Sequence, residues 1–579
     1  MATAGWIEIA ALVGLLALST PILGSYMAKV YGGANAPGDR FFLPIERRVY
    51  RLCRIDSEIE QTWRAYVLNL LVFSVLGIVA TYLVLRLQAW LPFNPDHMKN
   101  VGPGLSFNTA VSFGTNTNWQ NYGGESTLSQ LSQMLGLVWH QFLSAAVAMA
   151  LGVAFIRALV RRRGSTLGNF WVDTVRSVTR ILLPLALVFA VVFMSQGVIQ
   201  SFHAEKTAST VAAQATHDPS LDQKIPGGPV ASMLSIELLG DNGGGYFNTN
   251  GSYPYEGPNA IVTVLSVWLL LMISFAFPWT FGKMVGSKRQ GLVVLTVMAV
   301  LFAVSLVAVP LENRGNPNLS RLGVTQTASA TNPGGNLEGK DLRLGATSSA
   351  LTAAATTATS CGYTDSAHES YTPLGGAVPL FNIMLGEVSP GGTGSGLYGL
   401  LILLLISVFI AGLMVGRTPE YLGKKLGAAE MKMAAIYILI LPVTVLVFSS
   451  VSILLHGPAS DMLSHGPHGL TEVVYAFMST AHNNGSAFAG LSGNNPYWNT
   501  TLAFSMLIGR FLTIIAALAL AGTLVRKPTY AVSAGTLRTD SALFTGMVGF
   551  VVVVLVGLTY FPALALGPII EHLVGHYPL

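Results

Sequence analysis

The sequence predicts an all-α polytopic membrane protein of about ten transmembrane helices. Three observations predict it. Charged residues make up 10% of the 579 and hydrophobic residues 51%, where soluble domains carry about 25% charge. Apolar runs long enough to span a bilayer recur along the whole length. Basic residues also collect in every second connection, as the positive-inside rule requires of a multi-span chain.

The spans fall at roughly 6–30, 64–91, 128–156, 180–200, 258–281, 291–310, 396–416, 433–455, 499–525 and 541–565. The first has no Lys or Arg before it, carries Glu8 at its start, and is too long for a signal-peptide core, so it reads as a retained span. The connections after spans 1, 3, 5, 7 and 9 hold 23 of the 32 Lys and Arg residues, among them Arg47, Arg161, Lys288, Lys424 and Arg526. They read as cytoplasmic, which places both termini outside.

Four outer connections share one pattern: a moderately apolar stretch too short to span, then a Gly/Asn-rich stretch. They are Leu105–Phe113 then GTNTNWQNYGG, Val230–Leu239 then GDNGGGYFNTN, Thr347–Thr359 then SCGYTDS, and Leu470–Ala481 then HNNGSAFAG. A short helix that enters the bilayer and returns as irregular backbone fits, provided that backbone is packed in protein or lines a wet path. Gly243, Gly362 and Gly485 are 119 and 123 residues apart, and Asn118 lies 125 before Gly243. The chain therefore reads as four parallel span–loop–span repeats around a central pore, plus two extra helices. The divisions are 1–63, first extra helix and loop; 64–163, 164–287, 288–425 and 426–530, repeats 1 to 4; and 531–579, last extra helix.

Rings of backbone carbonyls can replace the hydration shell of potassium. Aiming successive carbonyls at one axis needs backbone angles that Gly, and to a lesser degree Asn, tolerates. The filter candidates are Asn116, Thr117 and Asn118; Asn242, Gly243 and Gly244, with Gly245 beside them; Ser360, Cys361 and Gly362; and Asn483, Asn484 and Gly485. The short helices would point their partially negative C-terminal ends at the ion.

Nucleotide and metal chemistry find no support. Gly394–Gly399 matches GxGxxG, but no strand precedes it and a transmembrane helix follows, so the dinucleotide reading fails. GxxxxGK[ST], DKTGT and HExxH are absent from the sequence. Cys53 and Cys361 give neither metal spacing nor a disulfide framework. No catalytic site, resident cofactor or nucleic-acid interface is expected; the surroundings are membrane lipid.

TNTNWQ, NGGGYFNTN, SCGY and AHNNGSAFAG resemble the four selectivity-filter loops of the potassium-transporting ATPase A subunit (KdpA) family, and the resemblance covers essentially the whole chain. That family is related to the Trk, Ktr and HKT potassium transporters, which usually have eight core spans and a more regular Gly in each loop. Ten spans, and Asn118 in place of a loop Gly, favour the A-subunit family. The resemblance implies a bacterial inner-membrane subunit with potassium as its transported ion. Its partners would be a P-type ATPase B subunit (KdpB) that hydrolyses ATP, a C subunit (KdpC) and a small F subunit (KdpF). It also implies entry through the filter and sideways exit towards the B subunit. A self-sufficient Trk/HKT-like transporter is the alternative.

Beyond the filter, the ion-path candidates are Gln120, Asn250, Glu387 and Arg510. Gln120 is either a vestibule residue or a polar loop residue, and Glu387 either lines the path or packs. Glu237 and Glu472, in the second and fourth short helices, either attract cations or are hydrogen-bonded in place. Arg510 sits near the middle of span 9, where a charge costs roughly 2.5–3.5 kcal/mol on insertion scales. It is either a fixed positive charge beside the ion path or the partner of Glu387, Glu472 or Glu237. The segment from Gly315 to Gly345 is long for a structureless loop and is expected to fold against a partner or the pore mouth.

Overall fold

The computed structural model describes residues 3–33, 35–531 and 536–575. The terminal residues to which the outside assignment refers, 1–2 and 576–579, lie outside the described residues. Ten helices among the described residues are long and apolar enough to cross a membrane. In chain order the principal helices are α1 (Thr3–Gly32), α2 (Asp39–Leu52), α3 (Trp63–Leu87) and α4 (Pro103–Gly114). Then come α5 (Ser132–Val160), α6 (Phe170–Ser195), α7 (Val230–Leu239), α8 (Ala260–Met284) and α9 (Lys288–Ser305). The last seven are α10 (Gly345–Ala358), α11 (Pro373–Met384), α12 (Ser395–Met414), α13 (Ala428–Leu454), α14 (Gly466–His482), α15 (Pro496–Val525) and α16 (Ala542–Val574). The strands among the described residues are three two-stranded pairs.

Local chemistry starts these helices. Asn169 accepts from the backbone N–H of Trp171 at 3.0 Å and Asn495 from that of Trp498 at 3.1 Å, satisfying donors that a helix N-terminus leaves free. The four short helices α4, α7, α10 and α14 overlie the four stretches the sequence marks.

Burial separates inner from outer helices. The most apolar windows of α5, α8, α12 and α15 are 83%, 72%, 67% and 61% buried, while those of α3, α6, α9 and α13 are 28%, 33%, 50% and 22% buried. Each inner helix follows one of the four Gly/Asn-rich loops, and each outer one precedes it. The extra helix α1 lies along α8. Trp268 and Trp279 donate from Nε1 to Ser19 and Ser25 at 3.2 and 3.0 Å, and a Cβ on Gly24 would stand 2.6 Å from the Ala276 carbonyl oxygen. The last helix, α16, packs on α9 and α12.

The start of the fourth span needs correction. The sequence puts the fourth span at 180–200, but the helix starts at Phe170. Arg176 and Arg180 read as connection charges. In the fold, Arg180 is buried and pairs with Glu46 and Asp39 of α2. The Arg180 guanidinium also holds the Asp39 carboxyl below its usual range.

The segment from Gly315 to Gly345 folds back onto the chain itself. Lys340 Nζ lies 3.0 Å from Glu312 Oε2, with both side chains fully buried. Glu312 also accepts from Asn336 at 2.8 Å and from the N–H and hydroxyl of Thr372 at 2.9 and 2.7 Å. Removing one partner of a buried pair leaves an uncompensated charge, at a cost of about 3–5 kcal/mol. Lys340→Met is therefore expected to lower the apparent Tm of the purified chain, and adding Glu312→Gln should recover much of the loss. An unchanged Tm for Lys340→Met would show that this segment does not hold the outer face together.

Candidate functional site

The loops after α4, α7, α10 and α14 are buried and meet one another in cyclic order. A Cβ added to Gly243 would stand 1.9 Å from the Gly362 nitrogen, one on Gly362 2.8 Å from the Gly485 carbonyl carbon, and one on Gly485 1.8 Å from the Thr117 oxygen. The circle closes where a Cβ on Gly244 would meet Asn118 Cβ at 2.8 Å. Backbone approach of this kind requires glycine.

Backbone angles add a second constraint. Gly243 and Gly485 have φ of 78° and 98°, and Asn116, Asn118 and Asn483 have φ of 66°, 57° and 60°. Gly362 is not in this left-handed region, so only the close approach requires it to be glycine.

The asparagine side chains stitch one loop to the next. Asn116 Nδ2 donates to the Asp241 carbonyl at 2.7 Å, and Asn483 Nδ2 to Thr117 Oγ1 at 2.9 Å. Asn484 Nδ2 donates to the carbonyls of Thr356 and Thr359 at 2.9 and 2.8 Å. Asn242 Nδ2 donates to the Gln141 carbonyl at 3.0 Å.

Several loop carbonyls are held from behind. Gly243 O accepts from Asn250 at 2.8 Å, Gly244 O from Gln141 Nε2 at 2.9 Å, and Cys361 O from the Thr356 hydroxyl at 2.6 Å. Asn250 thus spends its amide on the loop backbone. The carbonyls of Thr117, Asn118, Ser360, Gly362, Asn483 and Gly485 accept no hydrogen bond among the described residues. Buried backbone carbonyls are rarely left so. A dehydrated cation is a chemical partner for such a set, because it needs several oxygens and no donor.

The remaining candidates surround this ring. Gln120 is half-buried and donates at 3.2 Å to both Gly245 O and the Tyr122 hydroxyl. Glu387 is buried and accepts from the Ser360 hydroxyl. Glu472 accepts from the N–H groups of Leu463 and Ser464 at 3.3 and 3.1 Å, a structural anchorage, while neither carboxylate oxygen of Glu237 has a hydrogen-bond partner among the described residues.

Arg510 is buried in a π-helical turn, Ile508–Leu512, within α15. Its Nη2 donates to the Ser144 carbonyl at 3.2 Å, and no carboxylate oxygen lies within 4.0 Å of its guanidinium among the described residues. The ion pair with Glu387, Glu472 or Glu237, one of the two readings of Arg510, is therefore absent among the described residues. Arg510 and Glu387 instead line one cavity of about 40 Å³, with Ser360, Tyr398 and Asn483.

Sequence reasoning passed over Gln141 and Thr356. Gln141 carried a usable signal: it is a polar side chain in the apolar run LVWHQFLSAAVAMALGV, where such residues are usually bonded or functional.

The potassium-transporting ATPase A subunit family matches residues 10–573. The chain belongs to that family. Among curated relatives, the potassium-transporting ATPase potassium-binding subunit of Mycobacterium bovis is 51% identical over 575 residues, 99% of this chain and 100% of the relative. The subunit of the same name from Sorangium cellulosum is 50% identical, over 96% of this chain and 97% of the relative. Among solved structures, the potassium transporter TrkH from Vibrio parahaemolyticus superposes with a TM-score of 0.51, covering 89% of this chain and 98% of that one at 17% identity, which speaks to the fold alone. Within the A subunit family, this member spans its curated relatives almost end to end.

Proposed function

We propose that this chain is the potassium-binding subunit of an ATP-driven potassium pump, and that its four loops form the selectivity filter. The closed ring of loops, with its unpartnered carbonyls, carries this reading. Four parallel repeats, 64–163, 164–287, 288–425 and 426–530, each contribute one loop. The helices in 1–63 and 531–579 stand outside that plan. Potassium enters through the filter and passes to a P-type ATPase B subunit (KdpB), with the C and F subunits (KdpC and KdpF) completing the complex in the bacterial inner membrane. Family membership favours the pump over the self-sufficient transporter.

The test is equilibrium binding of potassium and sodium to the purified chain without partner subunits. Potassium is expected to bind in preference to sodium, and the preparation should not hydrolyse ATP. Equal binding of the two ions, or ATP hydrolysis by the isolated chain, would overturn the proposal.

Sidedness has its own test. Cys53 is exposed just after α2, among the basic residues of the first connection. In cells carrying the protein, a membrane-impermeant thiol reagent should leave Cys53 unmodified from outside and label it in inverted vesicles. Labelling in intact cells would reverse the orientation.

A further inference from the structure

We propose that a cavity at the basic end of the helices binds the phosphate headgroup of an anionic phospholipid, with Arg176 as its anchoring cation. The cavity measures about 360 Å³ and is lined by Tyr31, Glu60, Arg157, Arg161, Asp173 and Arg176. That size falls within the range of about 300–1,000 Å³ typical of small-ligand sites.

Two of its three arginines are already engaged. Arg157 forms a fork with Asp173, at 2.6 and 2.8 Å, and Arg161 forms one with Glu60, at 2.5 and 2.8 Å. These pairs also neutralise both acids of the lining. Arg176 has neither a hydrogen bond nor an ion pair among the described residues, and its Nε is buried without an acceptor. One guanidinium with no bonded partner therefore faces the cavity, its charge acting only at longer range, on Asp39 of α2. A guanidinium suits phosphate oxygens because its planar donors can engage two of them at once.

Membrane depth selects a lipid as the source of that phosphate. On α6, Leu183, Leu187, Val191 and Met194 are exposed by 40%, 61%, 61% and 42% and form one apolar stripe. Arg176 precedes the stripe by seven residues, six of them the π-helical stretch Ser177–Leu182, at the basic end of the same span. An acyl chain lying on the stripe would bring its headgroup to the depth of Arg176.

The neighbouring helix α2 repeats the pattern. Arg40, Arg47, Arg48 and Arg51 are exposed on it, while Phe41, Ile45 and Leu52 form an exposed stripe opposite Glu46 and Tyr50. A helix that is basic and amphipathic in this way lies in the interface of an anionic leaflet.

The experiment uses the full-length chain in phosphatidylcholine nanodiscs carrying a small fraction of a photoreactive phosphatidylglycerol, with crosslinked peptides mapped after irradiation. Crosslinks are expected in the segments around Arg157–Arg161 and Arg176. Arg176→Gln should reduce them about fivefold, and Arg176→Lys should keep most of them. Unlabelled phosphatidylglycerol should compete on the unmodified chain, which tests the site even if Arg176→Gln fails to fold. Equal crosslinking by a photoreactive phosphatidylcholine, no competition by phosphatidylglycerol, or full labelling of a folded Arg176→Gln chain would overturn the proposal. Loss of the crosslinks on adding excess inorganic phosphate at constant ionic strength would also overturn it, and would assign the cavity to a soluble phosphate.

Discussion

Gly485→Ala and Gly243→Ala are expected to raise the potassium concentration needed for transport by about 10- to 100-fold and to narrow the preference over sodium. The reason is local and steric. An alanine Cβ at 485 would stand 1.8 Å from the Thr117 carbonyl oxygen, and one at 243 would stand 1.9 Å from the Gly362 nitrogen. Real Cβ atoms do not approach so closely, so one loop must move. Both glycines also hold φ in the left-handed region, at 98° and 78°. Strain at such positions costs about 1–3 kcal/mol, and each 1.4 kcal/mol is about tenfold in an equilibrium constant.

The carbonyls displaced are those of neighbouring loops, so the damage falls on ion fit more than on helix packing. Gly362→Ala should be milder, because its Cβ would meet the Gly485 carbonyl carbon at 2.8 Å without a left-handed φ to violate. Serine at 243 or 362 should act in the same direction, with more bulk. The measurement is potassium uptake against concentration, with sodium competition, in proteoliposomes of the assembled complex. Unchanged affinity and selectivity in well-expressed variants at all three positions would remove the filter.

Arg510→Gln is expected to leave the complex assembled while potassium affinity and coupling change by about tenfold. The ion-pair reading would require a carboxylate partner whose loss destabilises the protein, and none lies within 4.0 Å among the described residues. The guanidinium instead shares a cavity of about 40 Å³ with Glu387 and with Ser360 and Asn483 of the third and fourth loops. A unit charge about 10 Å from an ion, at an effective dielectric near 20, changes its energy by about 1.7 kcal/mol.

Removing that positive charge should let potassium leave the filter more readily into the cavity, seen as more ATP hydrolysed per ion moved. Arg510→Lys should keep part of the effect of the charge. A variant that does not fold would argue for a structural role. One with normal affinity and coupling would remove the charge from the mechanism.

Much of this protein is legible one segment at a time. Ten apolar runs, the alternation of basic connections and four Gly/Asn-rich stretches at near-equal spacing follow from local composition. Membrane insertion makes hydropathy and charge decisive. The glycines at 243 and 485 are legible for the same reason, since a left-handed backbone leaves few other residues to choose from.

Pairings between distant segments are not legible in this way. Arg180 reads as the end of a cytoplasmic connection until Glu46, 134 residues earlier in the chain, is seen to neutralise it inside the fold. Asn250 reads as an ion-path candidate, but nothing local to it shows that its amide holds the Gly243 carbonyl. Gln141 reads as one polar residue in a span until its side chain is found holding Gly244, 103 residues away. Hydropathy and backbone preference belong to single residues and their neighbours. The direction of a carbonyl and the partner of a buried charge depend on which segments meet, and that is decided only when the helices pack.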